Sequence, residues 1–523
     1  MAEAYEGPDF PVSWDDPADA NVYWTRDIMH NPHQVTPLDF DIGEVAITAG
    51  RAQAFTEYWG QLSRPASRLV NTYRYGGMVP LMPQAEAAER AALIDRRTLS
   101  MAPRARVIWE EEWQPEVEFH IARWRAFDLV GAGDEALIQH LDDSLVRLRR
   151  VYYIHFVVTR PALLAMDQYN CLYAELFPGA SPLEALVLLQ GEDNKTVETG
   201  RELWKLSRIL ETPAFPAALD EFLEHFGHRA DSLALTDRSW IEDPASVVAQ
   251  VRAFAANPDH DPVRERERQL TEREAATAIA RDRLAGYPAR VRELFDKWLQ
   301  CGRDATLVWE NHNFYIDAWC EDEVRQVVRE VARRAVRAGG IDDVADAPML
   351  RIDELRAAVR SVDQRALVAA QRELHKRFAN VAAPHSLGPP PKAGPVGIGA
   401  RASGAFFGTP PPPPEPGLVR GTPASAGLVR GTARVRHRLE DARDLQPGDV
   451  LVVPSTTQSW TPLFALAAAV VSDSGGVLCH CALVAREYGI AAVVGTAHGT
   501  ELIPDGSLVE VDGEAGTVRV LQS

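Results

Sequence analysis

Apolar residues recur at three- and four-residue spacing, with charges between them, over residues 86–99, 136–153, 199–211, 264–284, 288–301 and 320–338. That period places the apolar positions on one face and predicts a mostly helical region before residue 384. Ser100, Thr236 and Asp259 fall at turn or cap positions between these segments. Beyond residue 417 the texture changes. Residues 433–435, 450–453, 468–472, 491–494, 508–511 and 517–521 are short runs rich in Val and Ala, punctuated by turn signals at 447–449, 504–506 and 512–516. They predict strands of a small α/β domain of about a hundred residues, interrupted by one helix, HCALVAREYG.

Between these regions, residues 384–416 hold 11 of the chain's 36 prolines. Polyproline excludes helix and central strand, so the segment reads as an extended, semi-rigid spacer, with an SH3-type ligand as the other reading. Its Ala405-Phe406-Phe407-Gly408 is placed to pack on a neighbouring domain. The expected organisation is a mainly helical substrate (acceptor) domain at 1–383, a Pro-rich linker at 384–416 and a small α/β domain at 417–523.

Composition adds boundaries to this picture. The 523 residues, 46% hydrophobic and 25% charged, are ordinary for a globular protein of several domains. A net charge of −19 argues against an electrostatic grip on nucleic acid or anionic lipid, while leaving room for a local basic pocket. Five cysteines without disulfide-framework spacing suit a reducing, cytoplasmic compartment. The N-terminus lacks the basic and apolar runs of a secretory signal, and residues 463–471 are too short an apolar run to span a bilayer. Eleven of the twelve tryptophans lie within residues 14–319, where core packing accounts for most of them.

Residues 470–495, VVSDSGGVLCHCALVAREYGIAAVVG, carry the densest chemistry. A buried strand ends at Ser472-Asp473, Gly475-Gly476 allow a tight turn, and a helix begins near His480 and ends at Gly489, a suitable cap. His480 thus sits in a first helical turn, where free backbone N–H groups favour an anion. An imidazole there can hold a phosphoryl group and pass it on, because its P–N bond is labile. Asp473 has two readings, positioning His480 or capping the turn. The Cys479-His480-Cys481 triplet is not read as a metal site, since consecutive residues point in different directions, nor as a redox pair.

The segment resembles the phosphohistidine swivelling domain of the PEP-utilising enzymes. The Gly-Gly turn, His480, ALVAREYGI and AAVVG match its usual form, and GLVRGTPASAGLVRGTARV and LQPGDVLVVPSTTQSWTPLF are similar to its opening strands. Cys479 replaces the usual Ser or Thr, Cys481 the usual small residue and Ala491 the usual Pro. Earlier segments, at 25–43, 188–208, 222–244 and 309–334, resemble the substrate domain of rifamycin phosphotransferase-like and phenylphosphate synthase-like proteins. The resemblance implies His480 as phosphocarrier, supported by Asp473, Gly475, Gly476 and Cys479.

Transfer to a hydroxyl also needs a base and cations. His312, in Glu310-Asn311-His312-Asn313 beside Phe314 and Tyr315, reads equally as general base or structural histidine. Glu310, Asn311 and Tyr315 join it as substrate-binding candidates. His228 and Arg229 suit phosphoryl oxygens or a loop, and Lys195 and Arg201 suit cationic support or a solvated face. No P-loop pattern is present. No segment resembles the ATP-grasp domain that charges the histidine in this family, so the resemblance implies a separate ATP-grasp subunit that binds ATP and Mg2+. No cofactor or metal is expected on this chain. The acceptor is expected to be a phenol or alcohol, with a rifamycin-like antibiotic or a purely regulatory phosphocarrier role as alternatives.

Overall fold

A computed structural model describes residues 10–522, apart from 62, 82–83, 231–233, 235–236, 257–260, 391–396, 410 and 413–414. The first part is helical, as its periodicity implies, and the longest helices outrun their predicted ends. Asp134–Leu176 runs for 43 residues where the pattern stopped at 153, and Ala289–His312 continues past 301. The reason is burial on every side. Ile154, Val157, Val158, Ala162, Leu164 and Ala165 are all buried, as are Ala305, Thr306, Leu307, Val308, Trp309 and Glu310. A helix enclosed all round has no polar stripe to betray its period.

Ser100 lies inside the Gln84–Met101 helix, its hydroxyl donating to the Arg97 carbonyl, rather than between elements. Thr236 and Asp259 lie outside the described residues. A four-stranded antiparallel sheet also appears that the helical reading passed over. Its order is Ser63–Val70, Tyr73–Pro80, Trp24–Arg26 and Ser386–Leu387. Trp24 and Tyr75 are fully buried in the core beneath it.

The proline-rich segment is more than an extended spacer. Its Ser386–Leu387 pairs with Trp24 and Thr25, and Ile398–Phe407 forms a helix over a stretch free of proline. That helix packs along the 43-residue helix, with an Arg401–Asp167 ion pair at 2.7 Å and the Gly399 N–H on Asp95 at 3.2 Å.

The C-terminal part is a small α/β unit around an eight-stranded mixed sheet. Strand order is Leu418–Arg420, Thr517–Gln522, Leu508–Asp512, Leu428–Val435, Val450–Val453, Ala469–Ser472, Ala491–Val494 and Thr422–Ser425. The middle strands from Leu428–Val435 to Ala491–Val494 are parallel. All four residues of Val450–Val453, Ala469–Ser472 and Ala491–Val494 are buried, as parallel strands covered on both faces require.

This unit is docked on the helical region. Leu478 and Leu483 share a core cluster with Met166, Leu189 and Trp309. Each such buried leucine contributes roughly 1.5–3 kcal/mol of apolar burial to the docked arrangement. Polar contacts join the same faces: Gln269 donates to the Arg486 carbonyl at 3.1 Å, and the Ser455 hydroxyl donates to the Met29 carbonyl at 3.1 Å. Among the described residues no helix is long and apolar enough to cross a membrane.

Candidate active site

The strand Ala469–Ser472 feeds a turn through Gly475, at φ +101°, and the helix His480–Glu487 begins with the histidine itself. Both glycines are required by close approach. A Cβ on Gly475 would stand 2.6 Å from the Cys479 sulfur, and one on Gly476 would stand 2.3 Å from the Ala405 carbonyl oxygen. That contact comes from the linker helix, whose Phe406 and Ala405 carbonyls accept from Gly476 N–H at 2.8 Å and Leu478 N–H at 3.0 Å. Cys479 is the helix N-cap, and its side chain makes no capping bond. Burial pushes the Cys479 and Cys481 thiols upward, so neither is poised as a thiolate.

Docking places His480 against the helical region. Its Nδ1 faces Glu310 Oε1 at 3.5 Å, a charge contact at the edge of hydrogen-bond reach, and its Nε2 lies 3.3 Å from the Thr461 hydroxyl. Glu310 is fully buried near the end of the Ala289–His312 helix, and its other oxygen accepts from the Thr196 hydroxyl at 2.7 Å. Burial opposes its ionisation, but His480 and Thr196 outweigh that and hold the carboxyl below its usual range. A carboxylate beside Nδ1 favours the tautomer with its proton there, leaving Nε2 with a free lone pair.

Glu487, at the far end of the helix that His480 begins, accepts from Asn194 at 2.8 Å. Burial, and then the nearby Glu310, raise its carboxyl well above the ordinary range. The two carboxyls therefore divide the roles, one ionised and one protonated at neutral pH.

Beside Thr461 a narrow cleft, with room for about one water, lies between the two parts, lined by Thr196, Thr199, Gly200, Arg229, Trp240, Thr461 and Tyr488. Arg229 is its cation. It donates to Thr199 at 2.9 Å and lies over the Phe314 ring, and burial brings its pKa down to about 10, still protonated at neutral pH.

The other expected residues scatter. His228 points elsewhere: its Nδ1 donates to Asp322 at 3.0 Å, its Nε2 accepts from Arg125 at 3.2 Å, and its ring stacks on Trp319. Lys195 is paired with Glu198 at 2.8 Å, near the Phe314 ring. Arg201 lies 3.5 Å from Asp193, partly exposed. The Asn311 side chain accepts from the Lys195 N–H at 3.0 Å, tying the start of one helix to the end of another. Tyr315 accepts from Gln114 at 3.3 Å, and burial pushes its hydroxyl up to about 12. Asp473 holds the turn at 496–500, accepting from the Thr496 hydroxyl at 2.9 Å and the Thr500 N–H at 3.1 Å.

His312 is fully buried, with Nδ1 donating to the Val308 carbonyl at 3.1 Å and Nε2 unpartnered. Burial, and then His155, lower its pKa to about 4. Three groups that sequence reading passed over complete the surroundings: Thr461, Thr196 and His155. Thr461 stood within STTQSWTPLF, inside a matched segment, whereas His155 was hidden in the apolar run YYIHFVV.

Residues 445–516 match the family described as PEP-utilising enzyme, mobile domain. Over that stretch the C-terminal unit is similar to a PEP-utilising mobile domain. Its helical neighbour matches the rifampicin phosphotransferase fourth domain over residues 157–308, which includes the 195–208 helix and most of the helix that carries Glu310. A chondramide synthase of Chondromyces crocatus is 35% identical over 98% of this chain, and the match spans 14% of that protein. An uncharacterised phosphotransferase of Bacillus subtilis is 27% identical over 71% of this chain and 47% of its own length. A rifampicin phosphotransferase of a Streptomyces species is 38% identical over 38% of this chain and 22% of its own length. The chain thus spans under half the length of these relatives. His480 lies within the first matched stretch and Arg229 within the second, while Glu310 stands two residues beyond the second.

Proposed function

We propose that the chain is the acceptor-binding and phosphocarrier part of an ATP-dependent, dikinase-type phosphotransferase that phosphorylates a hydroxyl through phospho-His480. The observation that carries this reading is the buried His480–Glu310 contact beside a cleft containing Arg229. The phosphoryl group on Nε2 extends toward the Thr461 side, where the Arg229 guanidinium balances its charge. The acceptor oxygen attacks phosphorus as the P–N bond breaks. The imidazole keeps the bonding pair, and the hydroxyl proton passes to a neighbouring base. Glu310 is nearest to His480; His312, neutral with a free Nε2, is the second group able to accept that proton.

On this reading a separate ATP-grasp subunit charges His480, using ATP and Mg2+. The aromatic surroundings, Trp309 with Phe406 at 4.9 Å and Phe314 beside Arg229, suit an aromatic alcohol or phenol. The likeness to rifampicin phosphotransferase supports a larger antibiotic-type acceptor as the second reading. Reconstitution with an ATP-grasp subunit and ATP should place an acid-labile phosphate on the chain, read by intact mass, and His480→Ala should abolish it. Phosphate that persists in the variant, or discharges only to protein and never to a phenol or alcohol, overturns the reading.

A further inference from the structure

His155, His312 and Asp317 bring three ligand-type atoms within 4.8 Å of one another, the one such group found among the described residues. His155 comes from the 43-residue helix and His312 from the end of Ala289–His312. Asp317 lies on the π-helical stretch Asn313–Cys320. That stretch is why His312 and Asp317 share a face. Five residues apart on an α-helix they would diverge by about 140°. Where hydrogen bonds run from i to i+5, they stand about one turn apart.

The three ligand atoms face one another at short range. The Nδ1–H of His312 is committed to the Val308 carbonyl, so Nε2 holds a lone pair, and that side chain is only 1% exposed. His155 Nδ1 and Asp317 Oδ1 form an ion-pair contact at 3.1 Å, and His312 Nε2 lies 3.9 Å from Asp317 Oδ2 with no other partner. Groups bound to one ion at about 2.0–2.2 Å lie about 3–3.5 Å from each other; the 3.1 Å pair already meets this, and the wider separations, up to 4.8 Å, would draw in around an ion. The second-sphere carbonyl that fixes the His312 tautomer is the usual companion of a ligating imidazole.

We propose that His155, His312 and Asp317 form a binding site for one first-row divalent cation of the zinc class. Two imidazoles and one carboxylate select such an ion over Mg2+, and three protein ligands leave a position open to water or an acceptor oxygen. The site lies two residues from Glu310 and is walled by Trp309, whose ring is 5.5 Å from that of His312, and by Phe156, 4.5 Å from His155. Coordination would occupy the His312 lone pair and leave Glu310 as the proton acceptor. The cluster is defined by side chains alone and does not depend on the phosphotransfer reading.

The test is metal binding by the full chain after chelation. Zn2+ is followed by calorimetry, Co2+ by its visible absorption, and Mg2+ serves as comparison. One Zn2+ or Co2+ per chain is expected, with no Mg2+ heat at the same concentration and a Zn2+-dependent rise in melting temperature. Asp317→Asn and His155→Gln should each weaken binding at least tenfold, whereas the exposed His498→Ala should not. If a ligand variant fails to fold, the wild-type Co2+ spectrum decides alone: histidine-nitrogen coordination supports the site, and thiolate charge-transfer bands overturn it. Absence of binding to the wild type, or binding undiminished in both ligand variants, also overturns it.

Discussion

The mobile domain delivers His480 from one unbroken stretch, strand to glycine turn to helix. The helical domain gathers the groups that meet it from distant segments: Arg229 in the cleft, and Glu310 together with Thr196, which donates to it. The difference is one of topology. A histidine presented at a helix start needs only local backbone geometry, so its chemistry is written in consecutive residues. An acceptor wall must come from several packed helices, so its chemistry emerges only when they are assembled.

Breaking the contact between the two regions should have the largest effect. Glu310→Gln keeps the shape and the Thr196 contact but removes the charge facing His480. Discharge of phospho-His480 to a hydroxyl acceptor should slow by about 10²-fold or more, while charging by ATP is unchanged. Rapid-quench measurement of both half-reactions checks it; equal losses in both would erase the distinction between carrier and acceptor sides.

A smaller effect belongs to the helical framework alone. His228→Ala leaves Asp322 and Arg125 without a shared partner in a buried setting. It should lower stability by about 1–3 kcal/mol in denaturant unfolding, with discharge kinetics intact where the variant is folded. A kinetic defect without a stability loss would move His228 into the site.

The smallest effect concerns docking and pH. The Glu487 carboxyl is raised in the docked state by burial and by Glu310, and it returns toward its ordinary value when the domains part. The docked form therefore holds more protons between the ordinary carboxyl range and the raised value, and docking weakens as pH rises through that window. Glu487→Gln keeps an oxygen for Asn194 and should flatten the dependence. Distance measurement between fluorophores on the two domains, from pH 5 to 9, reads this; an unchanged slope in the variant would assign the response elsewhere.

How far the sequence reveals these features follows from the same contrast. The strands at 450–453 and 491–494 and the helix from His480 were legible because each is a short run bounded by glycine or turn signals. The N-terminal sheet was not: Ser63–Val70 holds Arg64, Pro65 and Arg68, and Tyr73–Pro80 holds two adjacent glycines, so neither shows a clean alternation. Glu310 and His312 stood out as polar residues in an apolar run. Their separate partners did not, because Thr196, Thr461 and His155 acquire meaning only from elements far along the chain.

The linker helix Ile398–Phe407 is fastened at both ends, by Asp95 and Asp167 on the helical side and by backbone bonds to the glycine turn on the other. Any excursion of the histidine has to release one of these fastenings first. The Arg401–Asp167 pair is partly exposed and therefore screened by dissolved ions, whereas amide-to-carbonyl bonds respond little to them. Salt concentration would then act as a selector of the pivot: in dilute buffer the helix stays with the helical domain, and in concentrated buffer it travels with the histidine.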